Sequence, residues 1–188
     1  MPAEVSLASK IADLNSALDG CQIPHAFGGA LALAYYAEPR ATHDIDVNVF
    51  VDPSEVDQLR KALERVTGKK ARIDVAEVER DGQTRFWWET TPVDLFFNYD
   101  PIHDAMREDA RAVPFGDVTI LILSPEHLIV CKAVFDRPKD WVDIDAIVVA
   151  KTVLRQKACL GWLERIVGVD DPRFVKLANL LRPALQVD

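Results

Sequence analysis

The segment from Asp44 to Val51 alternates strictly between two kinds of side chain, with aliphatic residues at positions 45, 47, 49 and 51. Alternation with a period of two predicts a β-strand with one buried face. Residues two apart on a strand project from the same face, so Asp44 and Asp46 should project together, opposite the apolar face. The segment therefore predicts a core strand that carries two carboxylates on its other face.

The segments on either side of this strand predict a chain of mixed secondary structure. The predicted helices cover about 4–18, 30–36, 54–66 (with Ser54 as a possible cap), 101–107, 125–135, 138–154, 159–167 and 172–182, and β-like segments cover 23–27, 71–97 and 118–123. Asp81-Gly82 is typical of a hairpin turn, and Ser124-Pro125 of a helix start. This order indicates an α/β (α+β) fold with a core over residues 1–123 and a helical C-terminal part over 124–188.

Composition places the chain among globular proteins, since 49% of its 188 residues are hydrophobic and 28% are charged. The uncharged stretch Gln22–Ala37 contains a proline and two glycines, which argues against a membrane span. The first residues lack the pattern of a secretory signal. The three cysteines are widely separated, which makes a disulfide framework improbable. We therefore expect a reduced, cytoplasmic protein with no membrane partner.

The charges are unevenly distributed along the chain. A net charge of −8 argues against broad, non-specific binding to nucleic acid. However, residues 60–72 contain six Lys or Arg and one acid, and residues 151–188 contain seven basic and four acidic residues. The basic run at 60–72 is either a solvated helix face or a patch for a phosphate-rich partner.

The chain before the Asp44 strand contains four residues whose side chains or backbone suit phosphate: Gly28, Gly29, Arg40 and Thr42. Gly28-Gly29 lies between a predicted strand and a predicted helix, where backbone N–H groups can approach an anion closely. A tight turn is the alternative explanation. Arg40 could pair with phosphate or hold the loop, and the Thr42 hydroxyl could donate to a phosphate oxygen.

The paired carboxylates Asp44 and Asp46 suggest a cation site. Two like charges this close repel each other, and oxygen ligands of this kind suit Mg²⁺. A third acid is needed if two metal ions are to be held and a hydroxyl activated. Asp94 is the best candidate, because its apolar strand makes a lone charge costly. Asp74 is the rival, in a more polar segment that favours a solvated strand residue.

Lys132 lies on a predicted helix that is apolar on nearly every side. Its ammonium group either reaches water along its stem or is a fixed charge for the phosphates of a nucleotide. Downstream, Asp140 and Asp143 lie near a predicted helix start, where acids stabilise the helix dipole. That role alone could explain both acids.

Taken together, these motifs resemble a known superfamily. The string Phe27-Gly28-Gly29-Ala30-Leu31-Ala32 followed by Arg40-Ala41-Thr42-His43-Asp44-Ile45-Asp46-Val47 resembles nucleotidyltransferases of the polymerase-β type. The later segment from Leu123 to Ile144, with Ser124-Pro125-Glu126, Lys132 and Arg137-Pro138-Lys139-Asp140, looks like the AbiEii/MenT-type toxin branch. The resemblance spans roughly residues 20–150. Three positions depart from it: Gly29 replaces a common Ser, and Thr42-His43 replaces Ser-Glu or Ser-Asp.

The resemblance implies a mixed sheet flanked by helices and a set of site residues. In it, Gly28 and Gly29 line the triphosphate, Asp44 and Asp46 hold Mg²⁺, Asp94 is the third, base-like carboxylate, Lys132 meets phosphate, and Asp140 belongs to an essential Lys/Arg-Asp pair. Arg40 and Thr42 complete the nucleotide-binding set.

The resemblance also implies a function. It predicts a Mg²⁺-dependent nucleotidyltransferase (EC 2.7.7 class), with two metal ions and an NTP as substrate. The protein would be the toxin of a toxin–antitoxin pair, with a cognate antitoxin as partner, and would transfer NMP to RNA such as the tRNA 3′ end. The alternatives are a small-molecule (aminoglycoside-like) or protein nucleotidyltransferase, and an inactive nucleotide-binding module that acts by protein interaction.

Overall fold

The structure, a computed structural model, describes residues 5–182. The chain divides into two compact units. The first comprises the residues up to 31 together with residues 41–123, and the second comprises residues 32–40 together with the residues from 124 on. The N-terminal part of the predicted first helix, at Glu4, lies outside the described residues.

The first unit is built on a six-stranded mixed sheet. Its strands are β1 (His25–Phe27), β2 (Ile45–Val49), β3 (Gln83–Trp88), β4 (Thr91–Phe97), β5 (Arg111–Phe115) and β6 (Val118–Ile122), in the order β3-β4-β2-β1-β6-β5. The pairs β2/β4 and β1/β6 are parallel, and the other three pairs are antiparallel. The α/β fold expected from the sequence is confirmed. Strand β5 was not anticipated, because only the turn at Phe115-Gly116-Asp117 marks it in the sequence.

The helices of the first unit are α1 (Leu7–Gly20), α3 (Val56–Thr67), α4 (Val75–Asp81) and α5 (Pro101–Glu108), with a short 3-10 helix at Pro53–Glu55. Helix α2 (Gly29–Leu33) carries the chain from the first unit into the second. The cap before α3 differs from the prediction: the Asp52 carboxylate, not Ser54, accepts from the backbone, and Glu55 completes a capping box.

One face of the central strands forms the core of this unit. On β2, Ile45, Val47 and Val49 are fully buried, and on β4 the alternate residues Val93 and Leu95 are too. Asp46 and Asp94 come from the positions between these aliphatic residues and are half-buried. Burial of the apolar face thus presents the carboxylates on the other face, as the alternation predicted.

The segment Val75–Asp81 is helical where the sequence predicted strand and hairpin. The Asp74 carboxylate caps α4 by accepting from the backbone N–H groups of Ala76 and Glu77, so Asp74 is not a strand residue. Gly82, at φ 66°, ends this helix in the left-handed conformation, so Asp81-Gly82 is not a hairpin turn. The hairpin between β3 and β4 turns instead at Glu89, which has a φ of 56°.

The second unit contains four helices, α6 (Pro125–Phe135), α7 (Pro138–Val149), α8 (Gln156–Val167) and α9 (Pro172–Leu181). Ser124 caps α6 as predicted, accepting from the His127 N–H. Helix α6 packs against the other three and buries nearly its whole surface. Helix α7 ends at Val149, short of the predicted position 154.

Two further expectations concern a membrane span and disulfide bonds. Between residues 5 and 182, no helix combines the length and apolar character that a bilayer crossing requires. The three cysteines all lie in the described residues and form no disulfide bond there.

Lys10 of α1 is a buried cation in the first unit, with only 1% of its surface exposed. Its ammonium donates to Thr91 Oγ1 at 3.0 Å and to the Trp88 carbonyl at 3.3 Å, and lies 3.0 Å from Glu89 Oε2. These bonds tie α1 to the turn between β3 and β4. Full burial is tolerated because every partner is a hydrogen-bond acceptor.

We expect Lys10→Ala to lower the free energy of unfolding by about 2 kcal/mol, because it leaves buried acceptors without a donor. Urea denaturation of the purified protein measures this change. Lys61→Ala, at an exposed position on α3, is the matched control and should stay within about 0.5 kcal/mol of the wild type. Equal stability of the two variants would contradict a structural role for Lys10.

Candidate active site

Three carboxylates predicted as metal ligands lie together on the sheet of the first unit. Asp46 on β2 and Asp94 on β4 are direct partners in the parallel register, on strands about 4.8 Å apart. Asp44 directly precedes β2, two residues from Asp46 and on the same face. Asp94 is therefore beside the Asp-x-Asp pair, and the rival Asp74 is committed to a helix cap.

The glycine turn lies directly against one of these carboxylates. The Gly28 N–H donates to the Asp46 carbonyl at 2.9 Å. Gly29 has a φ of 54°, and a Cβ built on it would lie 1.8 Å from Asp46 Oδ2. A side chain at position 29 would therefore displace the Asp46 carboxylate. Glycine at this position, where the resembled motif commonly has Ser, leaves room for the Asp46 carboxylate.

Thr42 orients Asp44. Its hydroxyl donates to the Asp44 carboxylate, and the Asp44 backbone N–H donates to Thr42 Oγ1, with an N···O distance of 3.4 Å. A hydroxyl has one proton to donate, so this bond competes with the phosphate contact that we hypothesised for Thr42. That contact stays a prediction.

Arg85, which the sequence analysis missed, pairs with Asp94 across the β3/β4 hairpin. Its Nε and Nη2 donate to the two carboxylate oxygens at 2.6 and 2.8 Å. The hydrogen bond and charge of Asp94, with smaller contributions from the charges of Asp44 and Asp46, raise the pKa of the Arg85 guanidinium above its ordinary value. The sequence contains no local signal of this pair, because Glu89-Thr90 lacks the Gly or Asn typical of a hairpin turn. The register of β3 with β4 sets Arg85 opposite Asp94.

The carboxylates fit a divalent cation, although the site is not assembled as a three-acid cluster. In the part of the chain that the structure describes, no three His, Cys, Asp or Glu side chains are grouped to hold a metal ion, and Asp94 is bound to Arg85. Three carboxylates against one guanidinium leave a formal charge of −2 on these four groups, and their oxygens suit Mg²⁺. The Arg85 side chain is 52% exposed, and such exposed ion pairs contribute only about 0–1 kcal/mol.

The second unit contains its own charged network, centred on Asp143. Arg40 donates to the two Asp143 oxygens, at 2.9 Å each, and Lys132 Nζ donates to Oδ2 at 2.5 Å. Lys132 is 5% exposed, so the alternative that its ammonium reaches water is wrong. Arg40 holds its own segment to α7 through this pair, and its predicted contact with phosphate remains a prediction.

Asp140 caps the start of α7. It accepts from the Arg137 backbone N–H at 3.2 Å and from Arg137 Nε and Nη2 at 2.6 and 3.1 Å. Lys132 Nζ lies 4.0 Å from its Oδ1. The helix-start role proposed for Asp140 is thus present, whereas the role of Asp143 as the common partner of Arg40 and Lys132 was not foreseen. No local pattern signals a pair 103 residues apart.

We expect Gly29→Ala to weaken Mn²⁺ binding about 10- to 100-fold, because the new methyl group displaces Asp46. Titration of the protein with Mn²⁺, followed by electron paramagnetic resonance, measures the affinity. Gly116→Ala is the matched control: Gly116 has nearly the same φ, 55°, but nothing within 4 Å of its Cβ position. Equal losses in both variants would attribute the effect to backbone strain alone.

The Asp143 network also predicts a pH dependence. Burial favours the neutral acid, but the hydrogen bonds from Arg40 and Lys132, reinforced by their charges, outweigh it and hold the pKa of Asp143 below its ordinary 3.8. A lowered pKa stabilises the fold at neutral pH, and this contribution disappears as the pH falls through the folded-state value.

Asp143→Asn should therefore be less stable than the wild type at pH 7, and the difference should shrink below about pH 4. Urea denaturation across this range measures both. Asp145→Asn, at an exposed position on the same helix, should follow the wild-type profile. A constant difference between Asp143→Asn and the wild type would contradict the linkage.

Comparison with known proteins identifies the family of this chain. The family model "Nucleotidyl transferase AbiEii toxin, Type IV TA system" matches residues 13–178. No curated protein sequence matches the chain.

Solved structures of similar fold are nucleotidyltransferases. The solution structure of the antibiotic-resistance factor ANT(2'')-Ia has 15% sequence identity to this chain and a TM-score of 0.61. The match covers 92% of this chain and 95% of that protein's chain. A nucleotidyltransferase-like protein from Paracoccidioides brasiliensis is 16% identical over 93% and 87%, with a TM-score of 0.53. Lincosamide adenylyltransferase LnuA is 15% identical over 75% and 94%, with a TM-score of 0.51. The family match confirms the enzyme class predicted from the sequence, and the chain belongs to the AbiEii nucleotidyltransferase toxin family.

Proposed function

We propose that the protein transfers NMP from an NTP to the 3′ end of an RNA acceptor such as tRNA, with Mg²⁺ as cofactor, and acts as the toxin of a toxin–antitoxin pair. The observation that carries the proposal is the pairing of Asp46 with Asp94 on adjacent parallel strands, beside Asp44. The family's type IV toxin–antitoxin description supports a cognate antitoxin as partner. The need for an NTP fits the cytoplasmic location expected from the sequence.

The first unit supplies the groups for nucleotidyl transfer. Asp44 and Asp46 would hold Mg²⁺, and the Gly28-Gly29 backbone would line the triphosphate. Ions bound there would supply charge stabilisation during the transfer. The acceptor oxygen forms a bond to the α-phosphorus, pyrophosphate leaves with its electron pair, and the hydroxyl proton passes to Asp94 once Arg85 has released it.

The groups of the second unit have a structural explanation that does not depend on a nucleotide. Arg40 and Lys132 are both paired with Asp143, and Asp140 closes α7. Their roles toward phosphate and in catalysis stay proposals that rest on the resemblance. The network would hold the positive charge of Lys132 in one position, as electrostatic stabilisation of a substrate requires.

An RNA acceptor is supported by the surroundings of Asp44. A pocket of about 280 Å³ lies beside it in the first unit, and its polar lining residues are Ser6, Thr42, His43, Thr90 and Thr91. Hydroxyl and imidazole groups without a carboxylate suit a ribose–phosphate chain better than an amine.

The basic run at 60–72 adds a second argument for RNA. Lys61, Lys69, Lys70 and Arg72 are exposed. Arg60 is engaged by Asp57 and the Ile73 carbonyl. Arg65 is exposed as well, and the five exposed cations of this segment favour contact with phosphate groups.

A small-molecule acceptor is the second candidate. The net charge of −8 favours a cationic compound such as an aminoglycoside. The inactive nucleotide-binding module is disfavoured, because Asp44, Asp46 and Asp94 are kept together on one sheet face.

We expect Asp44→Asn and Asp46→Asn each to reduce transfer of α-³²P-labelled NMP to RNA by at least about 10³-fold, since metal-ion stabilisation is worth several kcal/mol. The assay offers each labelled NTP with total tRNA and, separately, with aminoglycosides. Asp117→Asn, in the exposed β5–β6 turn, should retain full activity. Full activity in the Asp44/Asp46 double variant would overturn the proposal, and label on aminoglycosides alone would replace the RNA acceptor with the small molecule.

A further inference from the structure

Trp87 is a large aromatic side chain left in solvent on the same face as the carboxylates. It lies on the edge strand β3 and is 58% exposed, whereas its neighbour Trp88 is 6% exposed and faces the core. Burial alternates along this strand, and Arg85, two residues before Trp87, already reaches Asp94 on the carboxylate face. Trp87 therefore projects from that face as well.

The strand register aligns Trp87 with Asp44. Arg85, Asp94 and Asp46 form one row across β3, β4 and β2. In the neighbouring row, Trp87 is paired with Pro92, and Pro92 directly precedes Val93, the partner of Ile45. Asp44 directly precedes Ile45, so it continues the row of Trp87 and Pro92. Two strand intervals of about 4.8 Å separate the Trp87 and Asp44 backbones, about 10 Å in all.

We propose that Trp87 is the stacking platform for the 3′-terminal base of the RNA acceptor, an inference that rests on the function proposed above. An unpaired base stacks on an aromatic plane, and such stacking tolerates any base because each has a π-face. Pro92 extends the apolar surface beside Trp87. When a base stacks on Trp87, its ribose lies along this row, toward Asp44. The span of one nucleotide thus connects the platform to the carboxylates that handle the 3′ hydroxyl.

Arg85 is a second argument that the ligand of this sheet face is a nucleic acid. It lies two residues from Trp87 on the same strand face, about 7 Å along the strand, and its side chain is half exposed. A cation next to an aromatic plane is the combination by which proteins hold single-stranded nucleic acid. Were Asp94 to hold a cation, the Arg85 guanidinium would be available to an acceptor phosphate.

The test is the binding of a fluorescent single-stranded RNA, measured by anisotropy with Mg²⁺ present. Trp87→Ala should raise the Kd about 5- to 100-fold, the range for the loss of one base–aromatic stack, and Trp87→Phe should recover most of the affinity. Tyr99→Ala removes another exposed aromatic, 65% exposed and beyond the opposite end of β4, and should leave the Kd within about twofold of wild type.

A second RNA, whose 3′-terminal nucleotide lacks its base, identifies what Trp87 touches. The wild type should bind this RNA as weakly as Trp87→Ala binds the intact RNA, and the variant should lose nothing further. Mn²⁺ affinity of Trp87→Ala should equal that of the wild type, because Trp87 is not a ligand of the cation.

The outcomes separate this inference from the proposed function. If the wild type transfers NMP to RNA but Trp87→Ala binds RNA as well as the wild type does, the platform is wrong and the function stands. If the wild type labels no RNA, the proposed function fails. If it labels aminoglycosides alone and Trp87→Ala raises their KM, Trp87 serves a sugar ring and the RNA platform is overturned.

Discussion

The parallel pairing of β2 with β4 is the constraint on which the candidate site depends. Each strand contributes aliphatic residues to the buried face of the sheet, such as Val47 and Leu95, which are partners in the register. A slip of one residue would turn those side chains to the opposite face, so hydrophobic burial holds the register firmly. The same register forces Asp46 and Asp94 side by side. The free energy of burying the core thus overcomes the repulsion between two carboxylates, and it leaves a face suited to a divalent cation.

The two units balance their charges differently, and this contrast suggests different uses. In the first, Asp44, Asp46 and Asp94 are half-buried, and Asp94 is paired with the exposed Arg85. In the second, Arg40, Arg137 and Lys132 surround two acids that are almost fully buried. An excess of negative charge near water favours the recruitment of a cation, whereas a satisfied buried network favours a fixed local geometry.

The sequence predicted elements well where one local signal dominated. The alternation at 44–51 predicted β2, and Ser124-Pro125 predicted the start of α6, because each pattern is compatible with one backbone conformation. Segment 71–82 was misassigned because Asp-Gly is typical of both a hairpin turn and a helix end. Tertiary structure resolves this ambiguity: Tyr99 packs so closely on Gly82 that a Cβ there would lie 2.1 Å from its ring.

By itself, the sequence determined the mixed α/β class, the projection of Asp44 and Asp46 from one strand face, and the resemblance that the family match bears out. The fold class and the projection of the two carboxylates follow from patterns among residues close together in the sequence, where backbone geometry sets the direction of each side chain. Only the tertiary structure decided that Asp94 is the neighbour of Asp46, that Arg85 holds Asp94, and that Asp143 joins Arg40 to Lys132. Such contacts depend on strand order and helix packing, which collective burial of the core selects and no local pattern encodes.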